Sequence, residues 1–85
     1  MLDEKPSLHG MKAIARGQLA SSFRPEEIDP ILAEAEANNA AAQFIVASAL
    51  ESGGEHEEAM KWFRRSADQG YRPALERLRR NPNAA

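Results

Sequence analysis

Leu8, Met11, Ile14, Ala15, Leu19 and Phe23 recur at helical steps along the first quarter of the chain. A period of 3.6 residues gathers them into one apolar stripe, so the pattern predicts a helix from about Ser7 to Ser22 with Ser7 as its N-cap. Arg24-Pro25 ends it, because the proline ring pushes the preceding residue out of the α region. The next segment, Pro25 to Ala37, admits two starts. Pro25-Glu26-Glu27 fits a first turn, with proline at the first helical position and carboxylates near the positive end of the dipole. Asp29-Pro30 fits as well, and one helix running through Pro30 loses a backbone hydrogen bond and kinks. Asn38-Asn39 closes this segment, and Asn39 is placed to cap the following helix.

That third helix, Ala40 to about Ser52, carries Phe44, Val46, Ala47 and Leu50 and stops at Gly53-Gly54. A fourth, about Glu55 to Gln69, turns Ala59, Met60, Trp62, Phe63 and Ala67 inward, and Gly70 ends it as a left-handed C-cap. Arg72-Pro73 opens a last helix through Arg80, with Leu75 and Leu78 as its apolar positions. Asn81-Pro82-Asn83 stops that helix and leaves residues 81–85 as a tail. Connections this short make consecutive helices antiparallel neighbours.

Composition supports the same class. The chain has 85 residues, enough for a single domain. Valine occurs once and threonine not at all, so residues that favour strands are too sparse to build a sheet. All-α is the expected fold. A net charge of −2 argues against generic binding to nucleic acid or membranes by bulk charge. The longest uncharged run, Asn38 to Leu50, is too short for the ~20 residues of a membrane span. Without cysteine there is neither a disulfide nor thiolate chemistry, and the opening residues lack the basic and apolar regions of a secretory signal. A cytoplasmic protein without a cofactor is the expectation.

Shifting the sequence by 32 residues lays Ile28, Ile31 and Ala35 on Met60, Phe63 and Ala67, and Ile14 and Ala15 on Val46 and Ala47. Each match is weak, but together they preserve the apolar faces of a helix pair. Residues 59–75 are more specific: Ala59-Met60-Lys61-Trp62-Phe63-Arg64-Arg65-Ser66-Ala67-Asp68-Gln69-Gly70-Tyr71-Arg72-Pro73-Ala74-Leu75. This stretch resembles the second helix and following turn of the Sel-one-like repeat, a relative of the tetratricopeptide repeat. Ala42 to Ala47, followed by Leu50, resembles that family's first helix, with Ala47 where the family has a small glycine and Leu50 where it has tyrosine. The turn at Gly53 to Ala59 departs from the pattern: it has the shorter tetratricopeptide length and lacks the longer glycine-containing loop of Sel-one-like units. The resemblance covers about Ala40 to Leu78. It reaches the N-terminal half only through apolar spacing, with Glu27 where the motif has alanine and Pro30 where it has tryptophan.

The resemblance implies a short right-handed α-α superhelix of four helices and a short fifth. Residues 7–38 form a divergent first pair, residues 40–70 the best-matching repeat, and residues 73–80 a capping helix. It also implies a protein-interaction scaffold or adaptor that takes a partner peptide or helix on the concave face built by the first helix of each pair. Position by position, Ala41, Phe44, Ser48, Glu51 and Ser52 fall on that face. Carrying the 32-residue shift back adds His9, Lys12, Arg16, Leu19 and Ala20. Geometry alone puts His9, Lys12 and Arg16 on one side of a helix, at i, i+3 and i+7. Lys12 and Arg16 suit an acidic or C-terminal carboxylate end of a peptide. So short an array makes a monomer or a weak homodimer.

Candidate chemistry is thin. His56, among Glu55, Glu57 and Glu58, invites a metal reading, but a zincin helix places a second histidine four residues on, where Met60 stands. A solvated helix start, with acids favoured by the dipole, is the plainer account. Glu26, Glu27, Asp29, Glu34 and Glu36 offer paired carboxylates, yet acid–base catalysis requires one in an apolar pocket, and a helix-start cluster faces water. Gly53-Gly54 has no phosphate-loop context, and Trp62 and Tyr71 read as packing and turn residues. No catalytic residues, metal ligands or cofactor site are expected, and the chain does not read as an enzyme.

Charge is unevenly distributed. Residues 1–60 hold four basic and eleven acidic side chains, and residues 61–85 hold seven basic and two acidic. These leave −7 and +5, which together make the net −2. Arg64, Arg65, Arg72, Arg77, Arg79 and Arg80 are either a solvated helix surface or a patch for an acidic partner, and the fixed guanidinium fork suits phosphate. A nucleic-acid-associated regulator using this surface is the alternative function. No aromatic residues interleave with the arginines as a nucleic-acid motif would have them. Contact between the acidic half of one copy and the basic half of another is a further outcome.

Overall fold

The computed structural model describes residues 12–80, and it describes side chains from Ile14 onward. The predicted start of the first helix, with Leu8, His9 and Met11, and the tail 81–85 lie outside the described residues. Within them the chain forms five helices: α1 (Lys12–Leu19), α2 (Pro25–Glu36), α3 (Ala40–Ser52), α4 (His56–Asp68) and α5 (Arg72–Arg79). The described residues contain no strand, as the composition predicts.

Each boundary has a local cause. α1 ends three residues before the expected Ser22. Ser21 and Ser22 instead form tight turns, their amides donating to Gln18 O at 3.3 Å and Leu19 O at 3.0 Å. The Ser21 hydroxyl also donates to Gln18 O at 3.0 Å, a local alternative that competes with continued helix. α2 begins at Pro25, and the Glu27 carboxylate accepts from the Arg24 amide at 3.0 Å. Pro30 lies inside this helix, which decides between the two possible starts. Asn39 caps α3, its side-chain oxygen accepting from the Ala42 amide at 2.9 Å. Three of the four connections are three residues long, and each uses one residue at positive φ: Asn38 at 77°, Gly54 at 87° and Gly70 at 82°.

α3 is the centre of the molecule. α1, α2 and α4 pack against it, and α5 packs against α4. Val46, Ala47, Leu50, Ala59, Trp62 and Phe63 are completely buried where α3 meets α4. The small residues allow close approach, and the Ser66 hydroxyl donates to Ala40 O at 2.7 Å, so the C-terminal end of α4 lies beside the N-terminal end of α3. α1 packs chiefly on α3 rather than on α2, with which it shares the Arg16–Asp29 ion pair. Ile14 of α1 sits over the C-terminal end of α3, where a Cβ at Gly53 would lie 2.6 Å from its Cγ2. Gly53 has an ordinary φ of −85°, so space, not backbone conformation, calls for glycine there.

Candidate functional site

The end of α1, the turn that follows Leu19 and the flank of α3 border a groove of about 410 Å³. Leu19, Phe23, Phe44, Ile45 and Ala49 supply its apolar surface. Gln18, Ser21, Ser22, Ser48 and Ser52 supply hydroxyl and carboxamide groups around it. Among the described residues none of the ten that line it is charged. Apolar side chains interspersed with hydroxyl and carboxamide groups give such a cleft both apolar contact surface and hydrogen-bonding capacity.

Phe44 and Ser48, both placed on the concave face by the resemblance, line this groove together. Ser48 bonds its own helix, its hydroxyl donating to Phe44 O at 3.0 Å. Phe44 packs edge-on against Phe63 at 5.5 Å between ring centroids and tilted against Tyr71 at 5.7 Å. Glu51 is not a lining residue; its carboxylate pairs with Arg77 of α5. The Arg77 guanidinium also lies 5.1 Å from the centre of the Phe63 ring, so Glu51 and Arg77 are drawn into the packing. Arg16 is likewise committed elsewhere, to Asp29. His9 and the Lys12 side chain lie outside the described residues.

The six arginines considered as a basic patch divide. Arg65 lies over the Trp62 ring at 5.0 Å and donates to Asn38 Oδ1 at 3.1 Å, and Arg77 is held by Glu51 and Phe63. Arg64 is exposed on α4. Arg72 and Arg79 on α5 and Arg80 at its C-terminal cap are exposed, and Arg79 and Arg80 line a second depression, about 350 Å³, together with Glu76. Trp62 is fully buried and Tyr71 half-buried, so both are packing residues. His56 is exposed at the start of α4.

Apolar spacing passed over two features. One is the contribution of Gln18, Ser21, Ser22 and Phe23 to the groove, which depends on where α1 stops. The other is Gln43, which is completely buried. Its Nε2 donates to Ala35 O and to Asn38 Oδ1, both at 3.1 Å, and its Oε1 accepts from Gln69 Nε2 at 3.0 Å. The signal was present: Gln43, Val46, Ala47 and Leu50 stand at i, i+3, i+4 and i+7, so the glutamine lies on the buried stripe. This network fixes α2, α3 and α4 to one another behind the groove wall that Phe44 and Ser48 form. Comparisons with protein-family models, curated proteins and solved structures give no match.

Proposed function

We propose that the chain is a non-catalytic, cytoplasmic protein-interaction module of the Sel-one-like or tetratricopeptide type, a short right-handed superhelix that holds a partner peptide against α3. The groove between α1 and α3 carries this reading. It is apolar at Leu19, Phe23, Phe44 and Ile45, rimmed with serine hydroxyls and without a charged side chain among the described residues. An extended segment with one or two apolar anchors fits those surroundings, with main-chain groups satisfied by Ser21, Ser22 and Ser52. The resemblance over Ala40 to Leu78 supports the family assignment, as do the burial of Trp62, Phe63 and Ala67 and the positive φ of Gly70. No described helix is long and apolar enough to cross a membrane.

Filling the groove tests the proposal. Ser48→Trp and Ser22→Trp project a large side chain into it without removing any core atom. Wild type is expected to retain a specific partner in affinity capture, and both variants to lose it at unchanged helicity by circular dichroism. Retention of every partner by both folded variants discards the groove as the site. The alternative, a nucleic-acid-associated regulator, rests on Arg72, Arg79 and Arg80. Glu76 in their midst and the commitment of Arg65 and Arg77 to internal contacts weigh against it. A nucleic-acid affinity that falls steeply with salt would revive it.

A further inference from the structure

The outer face of α5 is not used by the groove. Arg72, Leu75, Glu76, Arg79 and Arg80 stand at i, i+3, i+4, i+7 and i+8, and all are exposed. Opposite them Ala74 is buried, while Arg77 and Leu78 are partly buried. Leu75, at 42% exposure, is the only exposed large hydrophobic side chain among the described residues. No ion pair engages Arg72, Arg79 or Arg80 among the described residues. This helix face therefore combines an uncovered leucine with three uncommitted guanidinium groups and one carboxylate, Glu76.

The matching surface is in the same chain. α2 buries Ile28, Leu32 and Ala35 against α3. Its opposite face presents Glu26, Pro30 and Ala33, flanked by Asp29 and Glu34, all exposed. No lysine or arginine occurs from residue 25 to residue 60. Among the described residues two cations approach α2 from outside that range: Arg16 pairs with Asp29, and Arg24 lies 3.5 Å from Glu26. Glu34 has no ion pair among the described residues. A flat strip of proline and alanine bordered by carboxylates is the complement of a leucine bordered by arginines.

Within one molecule the two faces do not meet. α2, α3, α4 and α5 pack in series, each on the next, and α2 and α5 stand at the two ends of that series. We infer that the α5 face docks on the α2 face of a second copy of this chain, Leu75 resting on Pro30 and Ala33 while Arg72, Arg79 and Arg80 face Glu26 and Glu34. Different patches meet in such a contact, so it is head-to-tail and leaves one free face at each end of the pair. Rich in charge, the contact depends on salt, since screening shortens from ~30 Å at 0.01 M to ~3 Å at 1 M ionic strength. The surface is separate from the groove, so its fate and that of the peptide site are decided independently.

Sedimentation velocity on the full chain tests it. At about 0.01 M salt the weight-average mass of wild type is expected to rise with concentration above the 9.4 kDa of one chain, and to return to that value at about 1 M salt. Two charge-reversed variants, Arg79→Glu/Arg80→Glu and Glu26→Lys/Glu34→Lys, each remove one face and are expected to remain single chains. Mixed in equal amounts they retain one intact face apiece, and their reversed faces also carry opposite charge, so the mixture is expected to rise to at least about twice the mass of one chain where neither variant alone does. The inference fails if wild type stays at monomer mass at millimolar concentration and low salt. It fails equally if either folded variant associates as wild type does, or if the two folded variants do not pair. Binding of a short DNA duplex through Arg79 and Arg80, without self-association, also overturns it.

Discussion

Burying a carboxamide costs free energy unless its donors and acceptor find partners, and Gln43 finds all of them on neighbouring segments. One hydrogen bond goes back to α2 at Ala35, one to Asn38 in the turn, and one comes from Gln69 beyond the end of α4. Asn38 Oδ1 also accepts from Arg65, so two side chains tie three helices together. Gln43→Ala removes these bonds and opens a cavity, and is expected to lower stability by about 2–4 kcal/mol in urea unfolding. A loss below about 1 kcal/mol would mean that the network contributes little. Val46, Ala47 and Leu50 were legible as core residues because apolarity and helical spacing agree. Gln43 occupies the same stripe, but only the three-dimensional arrangement shows who satisfies its polar atoms, since its partners come from Ala35, Asn38 and Gln69.

Among the elements, α2 shows how packing decides what local rules leave open. Both Pro25 and Pro30 satisfy the preference of proline for a first turn. Burial of Ile28, Leu32 and Ala35, at i, i+4 and i+7 on both sides of Pro30, requires one helix through it. The proline stands on the exposed face and removes the amide that would bond the Glu26 carbonyl, which leaves that carbonyl to solvent. Pro30→Ala restores the bond and is expected to raise stability by about 1–2 kcal/mol, after allowing for a more flexible unfolded chain, with a higher melting temperature as the check. At the junction of α1 and α3 the governing quantity is space. Gly53→Ala brings a Cβ against Ile14 Cγ2 and is expected to cost about 1–3 kcal/mol by overpacking. Ile14→Leu moves that branch off Cβ, so the double variant should recover part of the loss in a double-mutant cycle. The bounds of α3 and α5 could be read from Asn39, the two glycines and Arg72-Pro73, whereas the early end of α1 could not, because Ala20 and the two serines do not oppose helix strongly.

For the molecule as a whole, segregation of charge was visible along the chain, but its consequences depend on which arginines the fold consumes. Two of the six candidates are drawn into packing by Trp62, Phe63 and Glu51, and three remain on α5. The groove was only half legible. Leu19, Phe44, Ser48 and Ser52 came from a repeat register, while Ser21, Ser22 and Phe23 join the wall because a helix ends early and its turn borders the groove. Phe44 belongs to two assemblies, with one side on the groove and its ring against Phe63 and Tyr71, where Arg77 of α5 rests. A ligand that displaced this ring would disturb the seat of the last helix, and thermodynamic linkage would make the influence mutual. Ser48→Trp is therefore expected to change amide hydrogen exchange along 72–79 as well as beside the tryptophan, and a change confined to α1 and α3 would show that the ring does not relay strain. A protein so wired would report an occupied cleft at its far end by altered fluctuation rather than by a change of shape.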